Sequence, residues 1–278
     1  MYSLVGKEII DTQANELFEA VASQQATAKD PYLHFLEYVL PKAPRPASRK
    51  DFFTFDAATI RSCISHFLAK DLLTDMGTEA LNTSPDSMKA GLEEIKKALS
   101  LMKELDDELH ALFTKYIHTL FYHRSVDSGG GSVSTLVGVI WCCNRKNWST
   151  WDTLEFLVHE MTHNLVFLDE YYHTHYEDLS QVELEENYAL SAVLKTKRPL
   201  DKVFHSLVVG YEILNLRARF DEPADPKVHP PSAVLKKQCL MTCESLHELF
   251  AQSPGLATER VVTLTRKIEE ALREKNFS

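Results

Sequence analysis

The sequence predicts a mainly α-helical chain with one small β-sheet, an α+β arrangement. Three observations predict it. Glycine is scarce, 9 residues in 278, whereas folds built on many tight β-turns need more. Apolar residues recur at helical 3–4 spacing through most of the chain. Only Ser132–Cys142 carries a dense β-branched run, with Val133, Thr135, Val137, Val139 and Ile140. The expected organisation is a single domain over 1–278. It comprises a helical N-terminal part (1–125), a core holding the candidate site (126–220) and C-terminal helices (221–278).

The elements follow in order. Lys7–Ala26 places Ile9, Ile10, Ala14, Leu17, Phe18 and Val21 on one stripe, an amphipathic helix. Asp30-Pro31 opens a second helix, Asp as cap and Pro in the first turn. Pro41–Ser48 holds three prolines and reads as a stiff connector, the best candidate for a boundary. Asp56–Met76 is helical. Ser84-Pro85 opens a helical stretch to about His123, long enough to expect one break. Asp127–Ser132 is Gly-rich but lacks the Lys-Ser/Thr of a phosphate loop, so it reads as a flexible turn. Ser132–Cys142 is the strand. A helix starts at Asp152, where Asp152 and Glu155 have capping-box spacing. Ser180–Lys195, Asp201–Phe220, Ser232–Ser253 and Thr258–Lys275 read as further helices, with a proline-rich loop at Asp221–Pro231.

Composition excludes several function classes. Thirty basic residues against 40 acidic give a net charge of −10, the wrong sign for tracking phosphates, so no nucleic-acid partner is expected. No basic-plus-apolar signal occupies Met1–Ile10 and no apolar run is long enough to span a bilayer. The five cysteines fit no disulfide framework. The expectation is a soluble cytoplasmic chain without a membrane partner; its oligomeric state is not specified.

The motif that carries chemistry is His159-Glu160-Met161-Thr162-His163. Residues four apart share a helix face, so His159 and His163 can grip one metal ion. Glu160 projects about 100° away, within reach of a water on that ion. Leu154, Leu157, Met161, Leu165 and Leu168 form the core stripe, with the histidines opposite. Phe156, Val166 and Phe167 flank the histidine side, so the helix is expected to be covered all round. A zincin-like helix of this kind, packed near an edge strand, is the expected centre of the fold.

A third ligand separates the possible functions. Asp169 has the spacing of metzincin-type proteases, but Val166 stands where they turn the helix with Gly. Glu183 has the spacing of gluzincin-type proteases, with Glu185 and Glu186 close by. Against that, Ser180 and Glu183 have capping-box spacing, which explains Glu183 as helix punctuation. His173 and His175 lie in a Tyr-rich, acidic stretch that reads as solvated loop. His205 sits among Phe204, Leu207, Val208 and Ile213, as a satisfied core residue or as a ligand. Two His with a carboxylate make a hydrolytic zinc site, Glu160 acting as base and Glu183 or Glu186 completing it. Three His make a variant of the non-haem iron facial triad.

The helix with His-Glu-x-x-His follows a Gly/Ser-flanked strand. After it come Arg198-Pro199-Leu200 and an apolar helix with His205 five residues beyond the Leu. In this the chain resembles the 2-oxoglutarate-dependent HExxH-type peptide β-hydroxylases over about Gly130–Phe220. Before Arg198 this chain has Val193-Leu-Lys-Thr-Lys where that family has Trp-Arg and Asp-Pro. The resemblance implies a helical Fe(II) enzyme that hydroxylates a β-carbon in a ribosomally made precursor peptide. It implies His159, His163 and His205 as metal ligands, with 2-oxoglutarate as co-substrate. The distal carboxylate of that co-substrate wants a planar cation, and Arg198 is the nearest one in the motif; otherwise Arg198 is a surface charge preceding Pro. Glu160 would then orient a ligand or a water. Val133–Trp141 is expected to be an edge strand on which an extended peptide docks, or else an ordinary core strand.

Overall fold

The structure, a computed structural model, describes residues 1–22, 30–45, 53–54, 56–68, 85–125, 128–220, 225–275 and 277. Parts of the expected elements lie outside the described residues: 23–26, 46–48, 69–76, 84, 127 and 221–224. The chain is mainly helical with a small sheet. It divides into two compact units, one formed by Met1–Ile10 with Asp169–Ser278, the other by Asp11–Leu168. The divisions fall inside helices, not at the proline-rich connector.

The N-terminal residues form helices α1 (Tyr2–Val5) and α2 (Lys7–Ala22). On α2 the expected stripe is buried at Ile10, Ala14, Phe18 and Val21, while Ile9 is exposed. In the Asp11–Leu168 unit, Asp30 caps α3 (Pro31–Val39) by accepting from the N–H groups of Tyr32 and Leu33. Helix α4 (Ala57–Leu68) follows. The long helical stretch breaks once, into α5 (Pro85–Leu105) and α6 (Asp107–Tyr116), where Asp106 caps the second piece. Lys115 Nζ and Tyr116 Oη both donate to Asp11 Oδ1, at 2.7 Å each.

The chain then turns extended rather than helical. Strand β1 (Thr119–Tyr122) pairs in parallel with β3 (Val139–Cys142), Leu120 opposite Ile140. The short β2 (Gly130–Gly131) pairs antiparallel with the other side of β3. The order β1-β3-β2 makes β3 the middle strand. This corrects the expectation of an edge strand available for peptide docking: β3 has partners on both sides and is wholly buried. The run from Ser132 is also shorter as a strand than expected. Ser134–Leu136 is a 3₁₀ turn, and Gly138, at φ 85°, takes a conformation that a β-branched residue would resist. Ile60, Cys63 and Phe67 of α4 pack with Phe121, Val139 and Trp141. Helix α7 (Thr150–His173) follows and runs across the second division.

In the other unit the expected helix over Ser180–Lys195 does not form. The segment folds as α8 (Leu179–Val182), a 3₁₀ turn at Glu185–Asn187 and strand β4 (Ala189–Leu190), which pairs with β5 (Lys197–Arg198). Tertiary bonds decide this. Ser245 Oγ takes the N–H of Leu190 at 3.1 Å, and Ser206 Oγ takes that of Ala192 at 3.2 Å. Helix α9 (Leu200–Phe220) is buried on all sides from Val203 to Arg217. It packs against α10 (Ser232–Gln252) and α11 (Glu259–Glu274). Gly210 lets α10 approach: a Cβ there would lie 2.5 Å from Cys239 Sγ. All five cysteines are buried free thiols. Among the described residues, no helix is long and apolar enough to cross a membrane.

Candidate metal centre

Helix α7 begins one turn earlier than its sequence suggests. Ser149, not Asp152, is the cap. The N–H of Asp152 donates to Ser149 Oγ at 3.1 Å, and Asp152 Oδ2 accepts from the Ser149 N–H at 2.8 Å and from its hydroxyl at 2.6 Å. This reciprocal box uses Asp where Glu or Gln is commoner. It explains the first turn without Glu155.

The expected core stripe, Leu154, Leu157, Met161, Leu165 and Leu168, is buried. From Asp152 to Asp169 only His159, His163 and Phe167 are not. They lie at successive steps of four, one stripe of partial access. The histidine side is therefore open in part rather than covered all round. Phe167 stacks on His163, with ring centroids 6.4 Å apart.

The two rings converge. His159 Nε2 and His163 Nε2 are 3.0 Å apart, with ring centroids at 4.8 Å and planes at 63°. Two imidazole nitrogens bound to one ion at about 2.0–2.1 Å would be roughly 3–3.4 Å apart. The pair therefore fits a shared metal ion with little movement.

Glu160 is buried, and its two oxygens have different surroundings. Oε2 accepts from Ser132 Oγ at 2.6 Å. Oε1 lies 3.8 Å from His159 Nε2. Burial pushes the Glu160 carboxyl up to about 8, against the pull of the Ser132 hydroxyl. Asn164 ties this part of the helix to the sheet. Its Nδ2 donates to the Glu160 carbonyl at 2.8 Å, and its Oδ1 accepts from the Gly138 N–H at 2.6 Å. Sequence reasoning missed Ser132 as the partner of Glu160, because it treated that residue as the start of a strand.

The remaining candidates belong to the other compact unit. His205 is buried in α9, and burial drives its imidazole down to about 3. It is thus a neutral ring, the form that ligates metal. Glu183, Glu185 and Glu186 are exposed. Glu183 ends α8 instead of opening a helix; the cap of α8 is Asp178, which accepts from the Ser180 N–H. Arg198 is half-buried in β5, opposite Ala189.

Asp169 has other partners. Arg260 Nε donates to its Oδ2 at 3.1 Å, the Arg260 Nη2 pairs with its Oδ1, and His175 Nε2 lies 2.7 Å from Oδ2. Burial alone would raise the Asp169 carboxyl, but these hydrogen bonds and the Arg260 charge outweigh it and hold the group below the usual range. His175 is fully buried, which corrects its reading as solvated loop. The Asp169–Arg260 pair draws the segment inward, and the Thr258 N–H donates to the His175 carbonyl at 3.0 Å.

The structure thus brings His159, Glu160 and His163 together on one helix. Among the described residues, no group of three or more His, Cys, Asp or Glu is arranged to hold a metal ion. No family model and no curated protein matches the chain.

Proposed function

We propose that this chain is a non-haem Fe(II), 2-oxoglutarate-dependent oxygenase that hydroxylates a β-carbon of a residue in a peptide. His159, His163 and His205 would hold the iron, and Arg198 would take the distal carboxylate of 2-oxoglutarate. The observation that carries the reading is the convergence of His159 Nε2 and His163 Nε2, 3.0 Å apart, on the partly accessible stripe of an otherwise buried helix. The choice of His205 over Glu183 or Glu186 is supported by their surroundings. His205 is a buried neutral ring on a long helix, whereas both glutamates are exposed. Ligands on rigid elements hold their geometry better than ligands on surface turns.

When bound, the iron would couple oxidative decarboxylation of 2-oxoglutarate to insertion of one oxygen atom of O₂ into a C–H bond, releasing succinate and CO₂. The chain's own residues do the rest. His159 and His163 each present a nitrogen lone pair. Ser132 pins Oε2 of Glu160, leaving Oε1 toward the His159 ring to orient what binds there. Phe167 lies alongside His163 with the two rings near parallel, an apolar neighbour on the accessible stripe.

A second reading, a zinc peptidase with Glu160 as general base, is favoured by the 3.8 Å approach of Glu160 Oε1 to His159 Nε2. One experiment decides. The protein is loaded with Fe(II) without oxygen, then given 2-oxoglutarate and air. Succinate release supports the oxygenase. No succinate, together with cleavage of a generic peptide by the Zn(II) form, supports the peptidase.

A further inference from the structure

The segment after α7 meets the start of α9 through buried polar atoms that nothing above uses. His175 and Tyr176 lie on that segment and Asp201 in the first turn of α9, all in the same compact unit. His175 is fully buried and Tyr176 nearly so. Their rings meet edge-on with centroids 6.0 Å apart, and the His175 ring meets that of Phe204 edge-on at 5.4 Å. Phe204 stands three residues after Asp201, on the same face of α9. Burial raises the Tyr176 phenol well above its ordinary value, and the nearby charge of Asp201 adds to the rise.

One polar atom on each residue is buried without a hydrogen-bond partner among the described residues: His175 Nδ1, Tyr176 Oη and Asp201 Oδ1. Their neighbours fix what each can do. The Asp169 carboxyl, held below the usual range, is ionised, so its Oδ2 accepts an N–H from His175 Nε2, 2.7 Å away. In the neutral ring the other nitrogen, Nδ1, then carries a lone pair. Asp201 Oδ2 accepts from Lys202 Nζ at 2.8 Å, and its Oδ1 is likewise an acceptor. Tyr176 brings a single O–H. There are thus two acceptors for one donor, and no direct contact among the three atoms satisfies them all. Leaving a buried polar atom unpaired is costly, and native interiors pair nearly all of them. A water molecule adds two donors and one acceptor, which closes the count at three of each.

We infer that this is an internal water site: one water molecule donates to His175 Nδ1 and to Asp201 Oδ1 and accepts the Tyr176 O–H. It joins the segment after α7 to the first turn of α9 and holds the His175 ring with its Nε2–H on Asp169. The site needs no metal ion and stands independently of the oxygenase reading.

A crystal structure fine enough to show ordered water tests it directly. The expected density is one oxygen within about 2.6–3.2 Å of all three atoms. A direct contact between any two of them overturns the proposal, as does the absence of that oxygen. Histidine ¹⁵N shifts of the wild-type protein above neutral pH should give the Nε2–H tautomer for His175; the Nδ1–H tautomer overturns the assignment of donors. Water ¹⁷O relaxation dispersion counts the waters held for long periods inside the folded chain. Asp201→Leu removes one acceptor and fills its place with an apolar side chain, so the count should fall by one. An unchanged count in folded Asp201→Leu overturns the site, and the two wild-type measurements decide it if that variant does not fold.

Discussion

A histidine pair one helical turn apart is common enough to need a second warrant, and here the warrant is access. From Asp152 to Asp169 on α7 every other residue except Phe167 is buried, yet these two rings keep partial access to solvent and bring their Nε2 atoms within 3.0 Å of each other. Removing either should abolish the shared grip. His159→Ala and His163→Ala are each expected to bind less than a tenth of the wild-type metal, measured by metal analysis after loading; normal metal content in either would refute the centre. Asp169 supports a different prediction. Its folded pKa is depressed, so its ion pair stabilises the chain above the unfolded value of about 3.9 and is lost as pH falls through the folded value. Asp169→Asn should cost roughly 3 kcal/mol at neutral pH. The gap between its urea midpoint and that of wild type should close as the medium is acidified below about pH 4. A gap that stays constant with pH would show that the Asp169 charge does not matter. The motif was readable from sequence because four-residue spacing is local. The partners of Asp169 were not, since Arg260 comes from a distant helix.

At the scale of elements, local chemistry was legible where the chain caps itself. Asp30 and Pro31 open α3, and Asp106 marks the break between α5 and α6. It was misleading where distant partners decide. Thr119–Tyr122 continues a helical pattern, yet it pairs in parallel with β3, a register that no local signal contains. The same holds for residues 180–195, whose helical spacing yields to hydrogen bonds from Ser206 and Ser245. On α7 the capping pattern was recognised but placed one turn late, because two acceptable boxes overlap. The start of α7 sets where its stripes face, so its cap can be tested directly. Ser149→Ala removes the acceptor of the Asp152 N–H and the donor to its carboxylate. It should destabilise the chain by about 1 kcal/mol, as a lower midpoint in urea. No change in midpoint would mean that the helix begins elsewhere.

For the molecule as a whole, the proposed ligands differ in how far they reach along the chain. His159 and His163 belong to one helix and one compact unit, whereas His205 belongs to the other. Anything that binds only the folded state stabilises it by RT ln(1 + [L]/Kd), about 2.7 kcal/mol at a hundredfold excess over Kd. With His205 as third ligand, Zn(II) at that excess should raise the thermal midpoint. His205→Ala should abolish most of the rise, because a two-histidine site binds too weakly to be filled at the same concentration. Glu183→Ala should leave the rise intact, since that carboxylate is exposed at the end of α8. The midpoints are read by calorimetry with and without Zn(II). A rise that survives His205→Ala but disappears in Glu183→Ala would transfer the third position to the carboxylate, and with it the chemistry from oxygenase to peptidase.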